Sequence, residues 1–306
     1  TSVVAGVEPD VGPGFSGVVS LDLGRLDRVL AVDGRSLSAN IQAGATGPAL
    51  NEQLAPHGLE LRCFPQSYRY ATLGGMLATR AGGHYATGRT HIDDLVESIR
   101  TITPAGPLES RRLPGSGAGP SPDRLLLGSE GILGVIVSAW MRVVKTPRFR
   151  TSASVRFAEE ANAIDALRTI LQAELLPANC RLLDRTEAAL NGVVSDGSHV
   201  LLLGFESSDA MPTQDSERAL ELALRCGGQS GGLKLRDAQD ATREGTGAAW
   251  RDAFFEGPHL RDVLVSLGVL VDTFETACTW DRFAELDRGV REAVGAAMAE
   301  RCGGGV

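Results

Sequence analysis

Two glycine-bearing stretches have the composition of a site that holds a phosphate-bearing ligand against bare main chain. The first, PQSYRYATLGGMLATRAGGHYATG, begins at Pro65, and the second, GSEGILGVI, begins at Gly128. Glycine lets the backbone adopt positive φ and lets another group approach within contact distance. Each stretch could therefore bring a ligand against the backbone, although turns that serve the fold alone would need the same residues.

The first stretch also predicts a phosphate site at a helix start. Gly74 and Gly75 stand at the head of a helical segment, MLAT. Unsatisfied N–H groups at a helix N-terminus bind phosphate, because they donate hydrogen bonds and that end of the helix is partly positive. A pyrophosphate could lie there, and Arg80 would add charge unless it faces solvent. Neither stretch has the GxGxxG or GxxxxGK[ST] pattern, so a Rossmann or P-loop site is not indicated.

Other chemistries find little support in the sequence. The cysteines are odd in number and form no CxxC, which predicts reduced thiols and neither a metal site nor a disulfide framework. They are Cys63, Cys180, Cys226, Cys278 and Cys302. Ser129 lacks the Gly-x-Ser-x-Gly elbow of a nucleophile, and we expect no metal.

Composition narrows the class of protein and its partners. With 306 residues, 43% hydrophobic and 22% charged, the chain suits about two globular domains. A net charge of −8 and 5% aromatic residues disfavour nucleic acid as a partner. No apolar run reaches the roughly 20 residues of a membrane span, and no signal peptide is visible, so we expect a cytoplasmic protein. A start without methionine and the ending CGGGV predict a chain truncated at both ends.

Hydrophobic patterning predicts a strand-rich first half. Residues 17–33 alternate as a half-buried strand does, with residues 36–45 as its hairpin partner. A short helix follows Thr46 and ends at Gly58. An apolar strand covers residues 95–102, and a short helix ending at Gly128 precedes a strand that runs to Pro147.

From about Thr151, the sequence pattern changes to alternating strands and helices. It reads strand, helix, strand, then a strand over residues 199–207 and a helix over residues 216–228, an order that resembles a ferredoxin-like arrangement. We place the domain boundary near Pro147. Residues 264–273 are apolar and predict a strand, and residues 280–301 predict an amphipathic helix.

Several motifs together resemble one family. Three motifs resemble the FAD-binding domain of vanillyl-alcohol oxidase-type (PCMH-type) flavoproteins: Thr-Ser-Val at the chain's start, Pro65 separated by six residues from Thr-x-Gly-Gly, and Gly-Ser-Glu-Gly-x-Leu-Gly at Gly128. RLLD at Arg181, GFE at Gly204, HLRD and FETACTWDR are similar to the alkyldihydroxyacetonephosphate synthase branch of that family. The resemblance covers nearly the whole chain.

This resemblance implies an α+β fold and FAD as cofactor. Residues 1–147 would form a partial PCMH-type FAD-binding domain that lacks its N-terminal part. Residues 148–306 would form an incomplete ferredoxin-like cap, or substrate domain, that lacks its C-terminal part. The cofactor-binding residues carried over by position are Thr1, Ser2, Pro65, Gln66, Ser67, Thr72, Gly74, Gly75, Thr79, Arg80, Ala81, Gly82, Glu130, Gly131, Leu133, Gly134 and Ile136.

The resemblance also implies an activity. Enzymes of that branch exchange an acyl for an alkyl group on a glycerone phosphate, with the flavin capturing the substrate and without net oxidation. Arg181 and Arg261 are the candidates to bind a phosphate- or carboxylate-bearing small molecule, since a guanidinium fork matches such groups. His84 is a catalytic candidate beside the flavin. The family's acid–base tyrosine aligns with Phe255, which cannot transfer a proton.

Two further hypotheses remain open at this level. One is an FAD-linked oxidase or dehydrogenase of a 2-hydroxy acid, which Phe255 favours slightly. The other is a truncated, non-catalytic fragment that retains FAD weakly or not at all. A homodimer is one assembly that the sequence leaves open.

Overall fold

The computed structural model describes residues 12–85, 87, 91–113, 115, 117, 119–237, 257, 260–269, 271 and 273–302. The chain forms two compact units, Thr1–Pro258 and His259–Val306.

The first unit opens with a five-stranded antiparallel sheet, in the order β1-β2-β6-β4-β5. Its strands are β1 Val29–Asp33, β2 Ser38–Gln42, β4 Val96–Thr103, β5 Gly106–Glu109 and β6 Val135–Arg142. A two-stranded ladder pairs β3 Leu59–Glu60 with β7 Val144–Lys145. The helices of this region are α1 Gly47–Leu54, α2 Leu73–Ala78 and α3 Pro122–Leu126.

The predicted hairpin forms, but its first strand is shorter than expected. The carboxylate of Asp33 accepts hydrogen bonds from the amides of Arg35 (3.1 Å) and Ser36 (2.9 Å), which closes the turn. The predicted strand over residues 17–33 reduces to β1, and Val19 is 93% exposed. The reason is pairing: a strand needs a neighbouring strand to accept its hydrogen bonds, and of residues 17–33 only those of β1 pair in register with β2.

The predicted helix after Thr46 is confirmed. Thr46 is the N-cap residue and Pro48 lies in the first turn, where its missing N–H has no partner to lose. Leu50 and Leu54 are buried. A short 3₁₀ turn continues the helix to Gly58, which ends it at φ +65°. Glycine adopts this left-handed conformation without a steric penalty, so the helical segment ends at Gly58 as the sequence predicts.

A second sheet has the predicted ferredoxin-like topology. The strands are β8 Phe149–Phe157, β9 Asn179–Leu183, β10 His199–Ser207, β11 Gln229–Ser230 and β12 Lys234–Asp237. Strand β10 lies between β8 and β9, and both β11 and β12 pair with β8 on its other side. The connecting helices are α4 Glu160–Gln172, α5 Arg185–Leu190 and α6 Thr213–Arg225.

The two faces of this second sheet differ in chemistry. One face carries Ala153, Val155 and Phe157, which pack with residues of α4 and α6 into a buried core. Alternate residues of a strand point to opposite faces. Polar residues of β8, β9 and β10 therefore share the other face towards the Ser207 end of β10; we call this group of residues the polar cap face. It comprises Arg150, Ser152, Asn179, Arg181 and Glu206.

The second unit contains helical residues 260–266 and α7, Phe283–Cys302. The predicted strand over residues 264–273 was wrong, since the run begins inside the helical residues and continues into a turn. Short apolar runs fit a strand or a helix equally well by periodicity. The predicted C-terminal helix is confirmed. In the part of the chain that the structure describes, no helix is both long and apolar enough to cross a membrane.

Candidate functional site

Helix α2 does not offer the free amides that its sequence predicted. The amides of Leu73 and Gly74 donate to the carbonyls of Ala45 (2.8 Å) and Ala43 (2.7 Å). The amide of Gly75 donates to the side-chain oxygen of Thr72, the N-cap residue, at 3.2 Å. The expectation that these groups await a pyrophosphate was therefore wrong, because a distant loop and a cap residue already satisfy them.

The two glycines of α2 differ in what lies over them. A Cβ at Gly74 would meet Ala43 Cβ at 2.8 Å, so this glycine serves the packing of α2 against the sheet. A Cβ at Gly75 would meet only Thr72 Oγ1, at 3.2 Å, and one at Gly82 would meet nothing within 4 Å. Gly75 and Gly82 thus leave main chain open to an approaching group.

The second glycine stretch lies directly against the first. The amide of Gly128 donates to the carbonyl of Leu77 at 3.1 Å, and the amide of Glu130 donates to that of Ala78 at 3.0 Å. Gly128 has φ +75°, and a Cβ there would come within 2.6 Å of Arg80 Cδ. The two stretches that the sequence singled out therefore form one surface, which we call the glycine surface, although 39 residues lie between them in the chain.

The rest of the second stretch leads from this surface into the first sheet. Gly131 has φ +87° with open space around it. Gly134 has φ +152° and lies so close to Ile102 that a Cβ would sit 2.7 Å from its carbonyl oxygen. Leu133 is exposed, whereas Ile136 is buried in β6 with its backbone paired to Thr101.

Arg80 differs from its predicted role as a cation for phosphate. Its guanidinium pairs with the buried carboxylate of Asp93, which also pairs with His91 and, at 3.1 Å, with Arg124. Burial alone would raise the pKa of Asp93, but hydrogen bonds from His91 and Arg80 outweigh it and lower the pKa below its usual value. Arg80 holds the end of α2 to the turn before β4.

We expect this carboxylate to make the fold acid-sensitive. Because the pKa of Asp93 is lower in the folded chain than in the unfolded chain, its stabilising effect is full above the unfolded pKa, about 3.9. It is lost as the pH falls through the folded value. The stability difference between the wild type and Asp93→Asn should therefore shrink below about pH 4, measured by urea unfolding from pH 3 to 7. A difference that is constant across this range would contradict the assignment.

The loop before α2 is fixed by its own hydrogen bonds. The amide of Tyr68 donates to the carbonyl of Pro65 at 2.9 Å, and the amide of Ala71 donates to that of Ser67 at 2.8 Å. Gln66 is exposed and its side chain lies beside Gly257. After the helix, Thr79 Oγ1 donates to the carbonyl of Gly75 at 2.9 Å, and the amide of Ala81 donates to that of Met76.

His84 joins the glycine surface to the polar cap face. It is only 5% exposed, and its amide donates to the carbonyl of Phe64 at 2.8 Å. Its ring Nε2 lies 2.8 Å from the side-chain nitrogen of Asn179 on β9. The next residue of β9 makes a second connection, because the amide of Cys180 donates a hydrogen bond to Thr87 Oγ1 at 3.2 Å.

A buried charge cluster makes a third connection. Arg62 lies beside the glycine stretch and pairs with Glu206 of β10, and also with Glu60 at 2.9 Å. Arg150 of β8 pairs with Glu206 at 2.9 Å. The guanidinium of Arg62 lies 4.0 Å from the centre of the Tyr85 ring, a cation–π distance. The sequence-based prediction missed Arg62, whose only signal was its place among the apolar residues of LELRCF, where it alternates with Glu60.

The two arginine candidates lie in different units. Arg181 lies on β9, on the same face as Asn179, because Cys180 and Leu182 between and after them pack into the helix-covered core. Arg261 belongs to the second unit, where its Nε donates to the carbonyl of Val271 at 3.3 Å. Thr1, Ser2 and Phe255 lie outside the described residues.

Thiol and metal chemistry find no support in this region. Burial raises the pKa of both Cys63 and Cys180 to about 12, so neither is a thiolate near neutral pH. Among the described residues, no group of three or more histidine, cysteine, aspartate and glutamate side chains could hold a metal ion.

An antiparallel sheet with a glycine-rich surface, followed by a ferredoxin-like sheet whose polar face meets that surface, defines the class of PCMH-type flavoproteins. Two family patterns match the chain: "FAD binding domain" over residues 3–110 and "FAD linked oxidases, C-terminal domain" over residues 146–305. The chain belongs to the FAD-linked oxidase family, and FAD is its cofactor.

Known relatives and structures agree with this family. The alkyldihydroxyacetonephosphate synthase of Dictyostelium discoideum is 30% identical over 95% of this chain and 50% of its own length. That of Trypanosoma brucei brucei is 27% identical over 98% of this chain and 51% of its own length. A solved structure of alkyldihydroxyacetonephosphate synthase matches with a TM-score of 0.76 and 27% identity, covering 92% of this chain and 54% of that one. The chain thus spans about half the length of these synthases.

The "D-lactate dehydrogenase [cytochrome], mitochondrial" of Arabidopsis thaliana is also similar, at 27% identity over 69% of this chain and 38% of its own length.

The residues present fit FAD at the glycine surface. The main chain at Gly75, Gly82 and Gly131 is open, and a side chain at any of these positions would occupy space that a cofactor lying against the main chain needs. The fit differs in one respect from the sequence-based expectation, since the amides at the start of α2 are occupied by Ala43, Ala45 and Thr72.

Proposed function

We propose that this chain carries an FAD-dependent enzyme activity of the alkyldihydroxyacetonephosphate synthase type, which exchanges an acyl for an alkyl group on a glycerone phosphate. One observation carries the proposal: the contact between His84 and Asn179, which sets the glycine surface beside the strand that bears Arg181. A site between these elements has open main chain on one side and a guanidinium on the other. That combination suits a flavin and an anionic substrate.

The roles of the chain's own residues follow from this arrangement. The open main chain at Gly75, Gly82 and Gly131 would hold FAD, which supplies an electrophilic and redox-active ring system when bound. Arg181 would bind the phosphate of the substrate through its planar fork of donors. Arg62 and Glu206 would keep the polar cap face against the glycine surface, and His84 would lie between them.

The organisation of the chain is also part of this proposal. We propose an FAD-binding domain over residues 1–147 and a cap domain over residues 148–306. In support, the first sheet and its ladder end with β7 at Lys145, and the second sheet starts with β8 at Phe149. The substrate is a phosphate- or carboxylate-bearing small molecule. A homodimer and a cytoplasmic location belong to the same proposal.

A second candidate is an FAD-linked oxidase or dehydrogenase of a 2-hydroxy acid. Two findings favour it: the C-terminal half matches the pattern described as FAD-linked oxidases, and a relative is named D-lactate dehydrogenase. Arg181 would then bind a carboxylate in place of a phosphate, since the same guanidinium fork fits both groups. The alignment of Phe255 with the synthase tyrosine points the same way.

The two activities leave different products. We expect the FAD-loaded chain, given an acylated glycerone phosphate and a long-chain alcohol, to release fatty acid and form the alkyl ether without lasting bleaching of the flavin. Arg181→Ala should raise KM for the phosphorylated substrate about tenfold or more, because a charged hydrogen bond is worth about 1.5–3 kcal/mol. Arg218→Ala, on the exposed face of α6, is the matched control.

Other outcomes separate the alternatives. Anaerobic bleaching by a 2-hydroxy acid, with no ether formed, would establish the oxidase and overturn the synthase. Failure of the chain to retain FAD, with neither reaction, would support the non-catalytic alternative.

A further inference from the structure

The side chain of Asn179 makes two contacts with the same residue. Its Nδ2 lies 2.8 Å from the ring Nε2 of His84 and 3.5 Å from the backbone carbonyl oxygen of His84. A carbonyl oxygen can only accept a hydrogen bond. The amide faces His84 with its NH₂ group, an orientation assigned from these two contacts, because the flipped amide would bring its oxygen to 3.5 Å from another acceptor oxygen.

This orientation decides which ring nitrogen of His84 carries the proton. An NH₂ group only donates, so Nε2 must accept and carries a lone pair. In a neutral imidazole one nitrogen accepts and the other donates, so the proton is on Nδ1. A doubly protonated ring would set an N–H against the amide NH₂, which the geometry disfavours.

The surroundings hold both partners in place. His84 is fixed at its backbone by Phe64, and its ring meets that of Tyr85 edge to face, with centroids 4.9 Å apart. Asn179 is the first residue of β9, whose next amide donates to Thr87 Oγ1. A rotation of the imidazole that exchanged its two nitrogens would give up the bond to Asn179 within a buried site, where an unmade hydrogen bond costs about 1–3 kcal/mol.

We propose that Asn179 is a positioning residue that holds His84 in the neutral Nδ1–H tautomer, so that His84 acts on its ligand as a hydrogen-bond donor and not as a general base. The tautomer follows from the contacts of His84 alone, whereas its donor role toward a ligand rests on the proposed function. The ligand atom that His84 meets would be an acceptor, such as the carbonyl or ester oxygen of a substrate. A proton-abstracting role would have to fall to another group.

The tautomer can be measured directly in the full chain without added FAD. With histidine labelled with nitrogen-15, two-bond correlation spectra distinguish the Nδ1–H, Nε2–H and doubly protonated forms. The chain has five histidines, and the His84→Gln variant assigns the resonance of interest. At about pH 8 we expect His84 to show the Nδ1–H pattern. An Nε2–H or doubly protonated pattern would overturn the proposal without any variant being needed.

A substitution at Asn179 provides the second arm. Asn179→Asp replaces a donor by an acceptor, so His84 should change to the Nε2–H or doubly protonated form. Asn162→Asp, on the exposed surface of α4, makes the same chemical change away from the site and should leave the His84 pattern unchanged. A His84 pattern in Asn179→Asp equal to that of the wild type would also overturn the proposal. Neither measurement depends on enzyme turnover, so the tautomer of His84 can be determined even if the proposed function is wrong.

Discussion

Replacing Arg62 by alanine is expected to lower the free energy of unfolding by about 3 kcal/mol, which is the low end of the cost of breaking a buried ion pair. The side chain of Arg62 is 8% exposed, and those of its partners Glu206 and Glu60 are 9% and 16% exposed. Without the guanidinium, Glu60 loses its ion-pair partner within a part-buried site. Burial already raises the pKa of Glu60, although Arg62 opposes that shift. The estimate stays low because Arg150 still pairs with Glu206.

The measurement is urea unfolding followed by circular dichroism, and the chain offers a matched control. Arg218 also pairs with a glutamate, Glu221, but both side chains are about half exposed. Arg218→Ala should cost less than about 1 kcal/mol, as exposed pairs do. The double variant Arg62→Ala/Glu206→Ala should cost less than the sum of its single variants, because the two side chains share one interaction. Additive losses would show that the pair does not couple the two elements.

The parts of the fold that the sequence predicts are those that local patterns determine. The β8-α4-β9 and β10-α6 order follows from apolar periodicity and glycine stops, and the sheet order agrees with the ferredoxin-like arrangement. The strand predicted for residues 17–28 does not form. An alternating pattern shows which side chains a strand would bury, but it does not show whether a partner strand lies alongside.

The candidate site shows the same difference between features that local sequence patterns predict and contacts that depend on the whole fold. The sequence located both glycine stretches, and the structure joins them through Gly128 and Leu77. The sequence could not predict that the carbonyls of Ala43 and Ala45 accept hydrogen bonds from the amides of α2, because the bonded residues are 28 and 31 positions apart in the chain. Nor could it place Arg80 on Asp93 or Arg62 on Glu206, since an ion pair depends on which distant carboxylate the fold brings near.

Two neighbouring glycines allow the position of FAD to be tested. Gly75→Ala should not harm the fold, since alanine in a helix is favoured over glycine by roughly 0.5–1 kcal/mol. The new methyl group would need only a small shift of Thr72 Oγ1, 3.2 Å away. It would project into the open space that we assign to FAD. We expect the affinity for FAD to fall about tenfold or more, equivalent to at least about 1.4 kcal/mol.

Gly74→Ala makes the same chemical change one residue earlier and should do the opposite. Its Cβ would meet Ala43 Cβ at 2.8 Å and the Ala43 carbonyl oxygen at 3.1 Å, inside the packed interface of α2. Overpacking of this kind costs about 1–3 kcal/mol, so the melting temperature should fall while the folded fraction binds FAD normally. Thermal unfolding and titration of flavin fluorescence measure the two effects separately. If Gly75→Ala bound FAD as the wild type does, the cofactor would not lie over this face of α2, and the open main chain at Gly82 and Gly131 would have to hold it alone.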